Sequence, residues 1–314
     1  MRKFRTYHEV DHGTGSELLE QVLDQRARLA ERLSGVGMVL AVASGKGGVG
    51  KSAVTANLAV TLAARGHQVG VVDADLNGPS LARMLGVTGR SLEDGEDGIV
   101  PVSGAGGVCV ISMELLQDAQ DAPLRWKEPA SDTFLWQSSM EATALREFLG
   151  DVAWGSLDFL LVDVPPGTDK IRRLLELVPD LPMALVVTTP SEMSRAVVSR
   201  SIRLIREAAV PQIGLVANMT EYVCPGCGRS EPIFRGDGIE RLSSESGVAV
   251  WGQIPFDPRL AESTDRGQPL VLEIPDGPVG RAFRALAERV EQAGASRPRS
   301  ASGEGRSSKP KEVP

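Results

Sequence analysis

The sequence predicts a three-layer α/β fold, in which a mostly parallel central sheet is flanked by helices. Apolar runs of strand length alternate along the chain with segments of helical periodicity. Within each run the apolar residues are continuous, which is typical of strands buried on both faces of a parallel sheet. The predicted strands are residues 38–44, 68–75, 107–112, 157–164, 182–189, 212–219 and 248–254.

The chain divides into three predicted parts around this sheet. Residues 1–36 are predicted to be an N-terminal helical extension, because apolar residues recur at helical spacing within 16–33. Residues 37–296 are predicted to form the α/β domain. Residues 297–314 are rich in Ser, Pro and Arg and lack an apolar face, so we expect a disordered tail.

Three further segments complete the outline of the α/β domain. Residues 88–106 and 117–135 are polar or irregular, and loops of that length within a domain are usually functional or mobile. A last helix over 279–293 carries apolar residues on one face.

Composition and charge exclude several classes of function. Hydrophobic residues make up 42% and charged residues 24% of the 314 residues, as in globular proteins. The net charge of −7 disfavours general binding to nucleic acids or to anionic membranes. No apolar run reaches the length of a membrane span, and the N-terminus lacks the apolar region of a secretory signal. We therefore expect a cytoplasmic protein with no nucleic-acid or membrane partner.

A glycine-rich segment, GKGGVGKS, lies between the first predicted strand and the helix KSAVTANLAVTLAARG. It fits the phosphate-loop pattern G-x-x-x-x-G-K-[ST] in the strand-to-helix context that gives the pattern physical meaning. Backbone N–H groups of such a loop surround the β-phosphate, Lys51 neutralises phosphate oxygens and Ser52 ligates Mg²⁺. The sequence therefore predicts a P-loop NTPase domain that binds ATP with Mg²⁺. The predicted nucleotide-binding residues of the loop are Gly45, Lys46, Gly47, Gly48, Val49, Gly50, Lys51 and Ser52.

The same letters also fit G-x-G-x-x-G, the pattern of dinucleotide-binding folds, with Asp73 a little beyond the usual spacing. A dinucleotide site has no use for the lysine and hydroxyl that follow the third glycine, whereas a triphosphate with Mg²⁺ needs both. Lys51 and Ser52 therefore favour the triphosphate.

Three carboxylates are predicted at the carboxyl ends of strands, where open α/β sheets bind their ligands. Asp73 and Asp75 end the second predicted strand, and one of them can hold a Mg²⁺ water while the other orients the attacking water. The alternative is that one of them caps the following helix. Asp163 ends the run LLVDV as the expected Walker B carboxylate, followed by a stiff Pro-Pro-Gly turn that can sense the γ-phosphate. Its alternative role is to cap the helix after Thr168.

Two of the three cysteines, Cys224 and Cys227, form a Cys-Pro-x-Cys-Gly turn in which backbone N–H groups stabilise metal-bound thiolates. One chain offers only two ligands there, and Cys109 lies far away on a predicted strand. A site with four thiolates therefore calls for two chains. The alternatives are a dithiol redox pair, a zinc site shared between subunits and two unliganded thiols. A thioredoxin-like pair should open a helix early in a βαβ unit, which this loop does not. Ligand identity does not separate zinc from an iron–sulfur cluster, because both take four thiolates.

Lys46, directly after the first glycine of the loop, makes the sequence resemble the deviant Walker A group of P-loop ATPases. Further segments resemble the Mrp/ApbC-type iron–sulfur cluster carriers within that group, over 38–272. These segments are DADLNGPS, WQSSMEATALREFL, LVDVPPGT, NMTEYVCPGCG, IFRGDG and WGQIPFDPRL.

This resemblance implies a homodimer in which Lys46 reaches across to the partner's phosphates and acts in catalysis together with Asp75 and Asp163. Asp73 would hold a Mg²⁺ water, Asp75 would orient the attacking water, and Asn218 would read the adenine. The resemblance also implies a [4Fe-4S] cluster that bridges the Cys224 and Cys227 pairs of two chains, with zinc as the less favoured occupant. Slow ATP hydrolysis would accompany transfer of the cluster to apo iron–sulfur acceptor proteins.

The sequence departs from the family pattern in two places near the switch regions. The family usually has Trp-Arg-Gly-Pro-Met where this chain has Trp136-Gln137-Ser138-Ser139-Met140, and Thr-Gly-Asp where this chain has Thr168-Asp169-Lys170. The competing hypothesis is a MinD/ParA-like positioning switch without a cluster. It predicts a membrane-seeking C-terminal helix or a basic DNA-binding face, and neither is evident in the sequence.

Overall fold

The structure is a computed structural model, and it describes four stretches of the chain: 27–75, 78–116, 143–224 and 226–295. The side chains of 192–194 are not included. The predictions made for 16–26, for 117–135 and for 297–314, and the departure at 136–140, lie outside the described residues.

The strands are β1 (Val36–Ser44), β2 (Val69–Asp73), β3 (Glu93–Gly95), β4 (Gly98–Val100), β5 (Val102–Ser103), β6 (Cys109–Ile111), β7 (Leu157–Asp163), β8 (Met183–Thr188), β9 (Gln212–Val223), β10 (Ser230–Pro232) and β11 (Val250–Phe256). The helices are α1 (27–33), α2 (Lys51–Ala64), α3 (Leu81–Met84), α4 (143–150), α5 (Thr168–Leu177), α6 (Glu192–Glu207), α7 (Gly238–Ser246), α8 (Pro258–Asp265), α9 (Leu270–Glu273) and α10 (Pro278–Ala295).

Nine of these strands form one sheet. Its parallel part runs in the order β11, β9, β8, β1, β7, β2 and β6. β5 is antiparallel at the β6 edge, and β10 is antiparallel to the outer end of β9. The seven parallel strands are those that the apolar runs predict, so the predicted fold class is confirmed.

The central strand β1 shows why the apolar runs are continuous. Met38, Leu40 and Val42 face one core cluster, and Val39 and Ala41 face the other. Helices α2 and α10 cover the first face, while α4, α5 and α6 cover the second. Because both faces are covered, every position from Met38 to Ser44 is buried.

Strand register brings the carboxyl ends of three strands to one edge of the sheet. Val42 of β1 is opposite Asp163 of β7, and Asp163 is also opposite Asp73 of β2. The chain leaves β1 two residues later, at Ser44, to form the glycine-rich loop. The loop and the two carboxylates therefore share one edge of the sheet.

Two parts of the fold differ from the prediction. The segment 88–106, predicted to be irregular, contains the β3–β4 hairpin and β5. These strands are short and partly polar, and backbone pairing holds β3 to β4, so no apolar period marks them. β9 continues to Val223, four residues beyond its predicted end, because its outer part pairs with β10.

The described part of the N-terminal extension packs on the domain. Leu29 of α1 is buried in the core cluster on the α4–α6 face of the sheet. Across the described stretches, none of the helices combines the length and the apolar character needed to span a bilayer.

Candidate functional site

The glycine-rich loop turns directly from β1 into α2. Gly48 and Gly50 have φ of 76° and 79°, in the left-handed region that favours glycine, and Gly50 is the N-cap of α2. The hydroxyl of Ser44 donates to the carbonyl of Lys46 at 3.0 Å, which fixes the start of the loop. Lys46 itself is exposed. The N–H groups at the start of this 14-residue helix are suited to binding a phosphate, as the sequence predicts.

Behind the loop, the carboxylate of Asp163 is fully buried and makes one ion pair and two hydrogen bonds with side chains of α2. Lys51 Nζ lies 2.6 Å from its Oδ2, and Ser52 Oγ donates to the same oxygen at 2.6 Å. Thr55 Oγ1 donates to Oδ1 at 2.7 Å. The predicted alternative, in which Asp163 caps α5, is not the observed arrangement, because the N-cap of α5 is Gly167 without a side-chain cap.

Thr55 is a site residue that the sequence analysis missed. It follows Lys51 by four residues on α2, so both side chains lie on one helix face. This spacing after the phosphate-loop lysine is the signal that identifies Thr55.

Asp73 lies beside Asp163 and holds the start of α3. Its Oδ2 accepts the backbone N–H groups of Ser80 at 2.9 Å and Leu81 at 3.0 Å, and its Oδ1 accepts the N–H of Asp75 at 3.2 Å. This is the capping role that the sequence analysis gave as the alternative to Mg²⁺ binding. Burial, and secondarily the charge of Asp163, raises the pKa of Asp73 to about 7, against the effect of the backbone N–H donors.

The residues present fit a Mg²⁺ ion. Ser52, Asp73 and Asp163 supply a hydroxyl and two buried carboxylates, which are the oxygen ligands that Mg²⁺ prefers. Burial is the main cause of the raised pKa of Asp73, and a divalent cation beside these carboxylates would offset the smaller contribution from the charge of Asp163. Asp75 is half-buried, and its Oδ1 accepts the N–H of Gly78 at 3.2 Å.

Asn218 supports the loop from β9, which lies two strands from β1 in the sheet. It is 2% exposed, and its Nδ2 donates to the carbonyl of Val49 at 2.9 Å. A Cβ at Gly50 would collide with the same Nδ2. The side-chain acceptor of Asn218 is Oδ1, the atom that its predicted contact with the adenine amino group would use.

The two cysteines lie in the turn that joins β9 to β10. The N–H of Cys224 donates to the carbonyl of Arg229 at 2.9 Å, and the N–H of Gly228 donates back to Cys224 at 2.8 Å. The backbone N–H of Cys227, then that of Gly226, lowers the pKa of the Cys224 thiol. Cys224 is half-buried and Cys227 is exposed, so both thiols are accessible for metal binding.

Cys109 is remote from this pair. It lies on β6, five strand positions from β9, which corresponds to about 24 Å across the sheet. Burial raises the pKa of its thiol. Within the described stretches, no group of three or more His, Cys, Asp or Glu side chains is arranged to hold a metal ion.

Three large apolar side chains near the cysteine turn are exposed. Tyr222 is opposite Phe256 in the β9–β11 register, and the N–H of Ile233 donates to the carbonyl of Thr220. Tyr222, Ile233 and Phe256 are 39%, 42% and 40% exposed. We call these three residues the cysteine-side patch.

The departure at Asp169 and Lys170 falls in the first turn of α5. Lys170 Nζ lies 3.8 Å from Asp169 Oδ2, and the carboxylate is largely exposed. Pro166 lies just before this turn, 4.0 Å from the position that a Cβ at Gly47 would take. The altered residues therefore follow a segment that lies against the phosphate loop.

Comparisons with known proteins identify the family of the chain. Residues 35–291 match a family model described as ParA, NUBPL iron-transfer P-loop NTPase. The chain is 39% identical over 271 residues to an iron–sulfur cluster carrier protein of Saccharolobus solfataricus, covering 86% of this chain and 88% of the relative. It is 38% identical over 263 residues to the cytosolic Fe-S cluster assembly factor NUBP2 of Bos taurus, covering 82% and 93%.

Solved structures show the same architecture. A nucleotide-binding protein of Archaeoglobus fulgidus in complex with ADP superposes with a TM-score of 0.67 at 33% identity, covering 82% of this chain and 96% of the other. The cell division protein MinD of Aquifex aeolicus gives a TM-score of 0.55 at 25% identity, covering 81% and 97%.

Proposed function

The chain belongs to the iron–sulfur cluster carriers of the NUBPL iron-transfer P-loop NTPase family, and from this membership we propose that it carries a [4Fe-4S] cluster between two copies of itself under the control of ATP. Acceptors are apo iron–sulfur proteins, and we place the activity in the cytoplasm because the NUBP2 relative is named as cytosolic. The observation that carries the proposal is the position of the cysteine pair in the turn directly after β9, the strand that also supports the phosphate loop.

ATP would bind with its β- and γ-phosphates on the loop Gly45–Ser52. Lys51 would then leave Asp163 and contact the phosphate oxygens. Asp163 would hold Mg²⁺ together with Ser52, and Asp73 lies beside it. Mg²⁺ supplies charge neutralisation of the phosphates in this site. Asn218 would accept the adenine amino group through Oδ1 while Nδ2 continues to hold Val49.

Hydrolysis of ATP is proposed to need a second chain. Asp75 is half-buried beside the buried Asp73, a suitable position from which to orient the attacking water. Lys46 is exposed on the loop, so it is available to a partner's phosphates across a dimer interface. A cation placed there opposes the negative charge that develops on the transferred phosphoryl group.

Cluster binding is proposed to need a second chain as well. Cys224 and Cys227 supply two thiolates per chain, and Cys109 is too distant to contribute. Two chains supply the four thiolates of a [4Fe-4S] cluster. The cysteine-side patch supports this dimer, since exposed large apolar side chains flank the pair and favour burial against another protein surface.

The MinD/ParA-like switch is the second candidate, because the fold and the phosphate loop are common to both groups. The lowered pKa of Cys224 favours the carrier. A switch without a cluster has no need for a turn whose N–H groups stabilise a thiolate.

Anaerobic reconstitution with iron and sulfide tests the proposal. The wild type should take up about four iron and four sulfide per dimer, with a brown absorption band. Cys224→Ser and Cys227→Ser should each lose iron and sulfide while still binding ATP, and Cys109→Ser is the matched control that should keep both. Equal iron and sulfide in Cys224→Ser and the wild type, or zinc alone in the anaerobically purified wild type, would overturn the proposed cluster.

A further inference from the structure

Met219 has an unusual backbone conformation at a functional position. Its φ is 59°, in the left-handed region, although it lies inside strand β9. Among the described residues, Ala209 is the one other non-glycine residue with positive φ, and it follows the end of α6. A residue held in this region signals that its surroundings impose the conformation.

The register of β9 changes at the same place. Asn218 is opposite Ile254 of β11, and Tyr222 is opposite Phe256, so four steps along β9 correspond to two steps along β11. The pairing of β8 with β9 ends at Ala217. The inner part of β9 therefore belongs to the central sheet, whereas its outer part follows an irregular junction and leads to Cys224.

The junction also lies against the phosphate loop. Asn218 is bonded to Val49, and a Cβ at Gly50 would lie 3.6 Å from Met219 Cε, so Met219 packs beside the loop. Four residues of β9, 220–223, separate Met219 from Cys224. Met219 therefore packs against the phosphate loop and begins the segment of β9 that leads to the cysteine pair.

We propose that Met219 is a positioning residue that couples occupation of the phosphate loop by ATP to the orientation of the Cys224–Cys227 pair. The coupling rests on the proposed function, since it concerns the cluster site assigned there. When ATP binds, Val49 and Gly50 shift as the loop closes on the phosphates. The hydrogen bond from Asn218 to Val49 passes this shift to the irregular junction in β9. A change of backbone dihedrals at Met219 then re-aims the outer part of β9, while β8 and β11 keep its inner part in place.

The test measures thiol reactivity in the protein without a cluster, so that it does not depend on cluster assembly. Alkylation of Cys224 and Cys227 by iodoacetamide is followed by peptide mass spectrometry, with and without ATP and Mg²⁺, and Cys109 is the internal reference. In the wild type, ATP should change the rate at Cys224 about threefold or more. In Met219→Gly the rate should be the same with and without ATP, because glycine adopts both signs of φ without strain and uncouples the two parts of β9.

ATP affinity separates coupling from damage to the nucleotide site. Met219→Gly should bind ATP within about threefold of the wild type, because none of the phosphate ligands is altered. Ala209→Gly relieves the same backbone strain away from the site, and it should keep the full response of Cys224 to ATP. A cluster-loaded Met219→Gly dimer should contain wild-type iron and sulfide but release its cluster to an apo-ferredoxin at a rate that ATP no longer changes.

Two outcomes would overturn the coupling: a wild type in which ATP leaves the alkylation rates unchanged, or Met219→Gly with the wild-type response. Failure of the proposed function has a different signature. A wild type that takes up no iron and sulfide contradicts the cluster, while the alkylation experiment on the same protein still reports on Met219.

Discussion

Lys51 Nζ and Asp163 Oδ2 lie 2.6 Å apart, and both side chains are buried. The contact joins the lysine that is predicted to bind phosphates to the carboxylate that is predicted to bind Mg²⁺. Each group neutralises the other, and on binding of ATP with Mg²⁺ the phosphates would take the place of Asp163 beside Lys51 while Mg²⁺ would take the place of Lys51 beside Asp163. The pair therefore keeps two buried charges neutralised at the phosphate loop.

Lys51→Ala is expected to weaken ATP binding about 100-fold or more, because it removes the cation that contacts the phosphates. The variant also leaves Asp163 buried with hydroxyl partners alone, which should lower the free energy of unfolding by about 3 kcal/mol. Isothermal titration calorimetry and urea unfolding measure the two effects. Wild-type ATP affinity in Lys51→Ala would contradict the assigned role.

Lys46→Ala is expected to keep ATP binding and lower the hydrolysis rate about 100-fold, because the lysine acts on the partner's nucleotide. Mixing tests the action in trans. In a mixture with Lys51→Ala, half of the dimers combine an intact Lys46 from one chain with an intact Lys51 from the other. About a quarter of the wild-type rate should return. No recovery on mixing would show that Lys46 does not act across the interface.

The stability of the protein in EDTA should fall as pH rises from about 4 to about 7. The pKa of Asp73 is near 4 in the unfolded chain and about 7 in the fold. Between these pH values the folded protein keeps a proton that the unfolded chain has lost, so folding takes up a proton and becomes less favourable as the pH rises. The contribution is at most about 4 kcal/mol. Urea unfolding at pH 5 and pH 8 measures it. Asp73→Asn should reduce the difference, and an equal difference in both proteins would exclude Asp73 as its source.

Gly50→Ala is expected to destabilise the protein more than Gly48→Ala. Both positions have positive φ, so both substitutions share a backbone cost of about 1–2 kcal/mol. A Cβ at Gly48 meets no atom within 4 Å, whereas a Cβ at Gly50 collides with Asn218. The collision should add about 1–3 kcal/mol to the loss in Gly50→Ala. Equal melting temperatures of the two variants would mean that Asn218 does not pack on the loop.

Phe256→Asp is expected to weaken the cluster-bridged dimer, because a charge replaces apolar surface in the cysteine-side patch. Leu272→Asp is the matched control, since Leu272 is 41% exposed and lies on α9, outside that patch. Analytical ultracentrifugation of reconstituted protein should show a larger monomer fraction for Phe256→Asp alone. The same monomer fraction in both variants would argue against an interface at this patch.

The fold was predictable because its signal is local. Each buried parallel strand needs a continuous apolar run, and the run around Leu160 is visible without knowledge of its neighbours. The short β3–β4 hairpin was missed because backbone pairing holds Glu93 to Val100 and leaves no apolar pattern in the sequence.

The site was predictable where one segment carries the chemistry, as in the loop that ends at Ser52. It was not predictable where the role depends on a distant contact. The donation of Asn218 to Val49 and the left-handed Met219 arise from strand packing, and no spacing in the sequence encodes them. Asp73 has a recognisable position, but its bonds to Ser80 and Leu81 depend on the path of the chain between strand and helix.

The hydrogen bond between Asn218 and Val49 spans 169 residues of sequence, with a consequence for biosynthesis. While the ribosome is still adding β8, the nascent chain already contains the whole GKGGVGKS segment but not the strand that supports it. Only after Asn218 has emerged and β9 has joined β8 is the phosphate cradle complete. We therefore expect a truncated translation product that ends before β9 to bind ATP more weakly than the full-length chain, so that tight nucleotide binding marks a chain in which nearly the whole sheet has assembled.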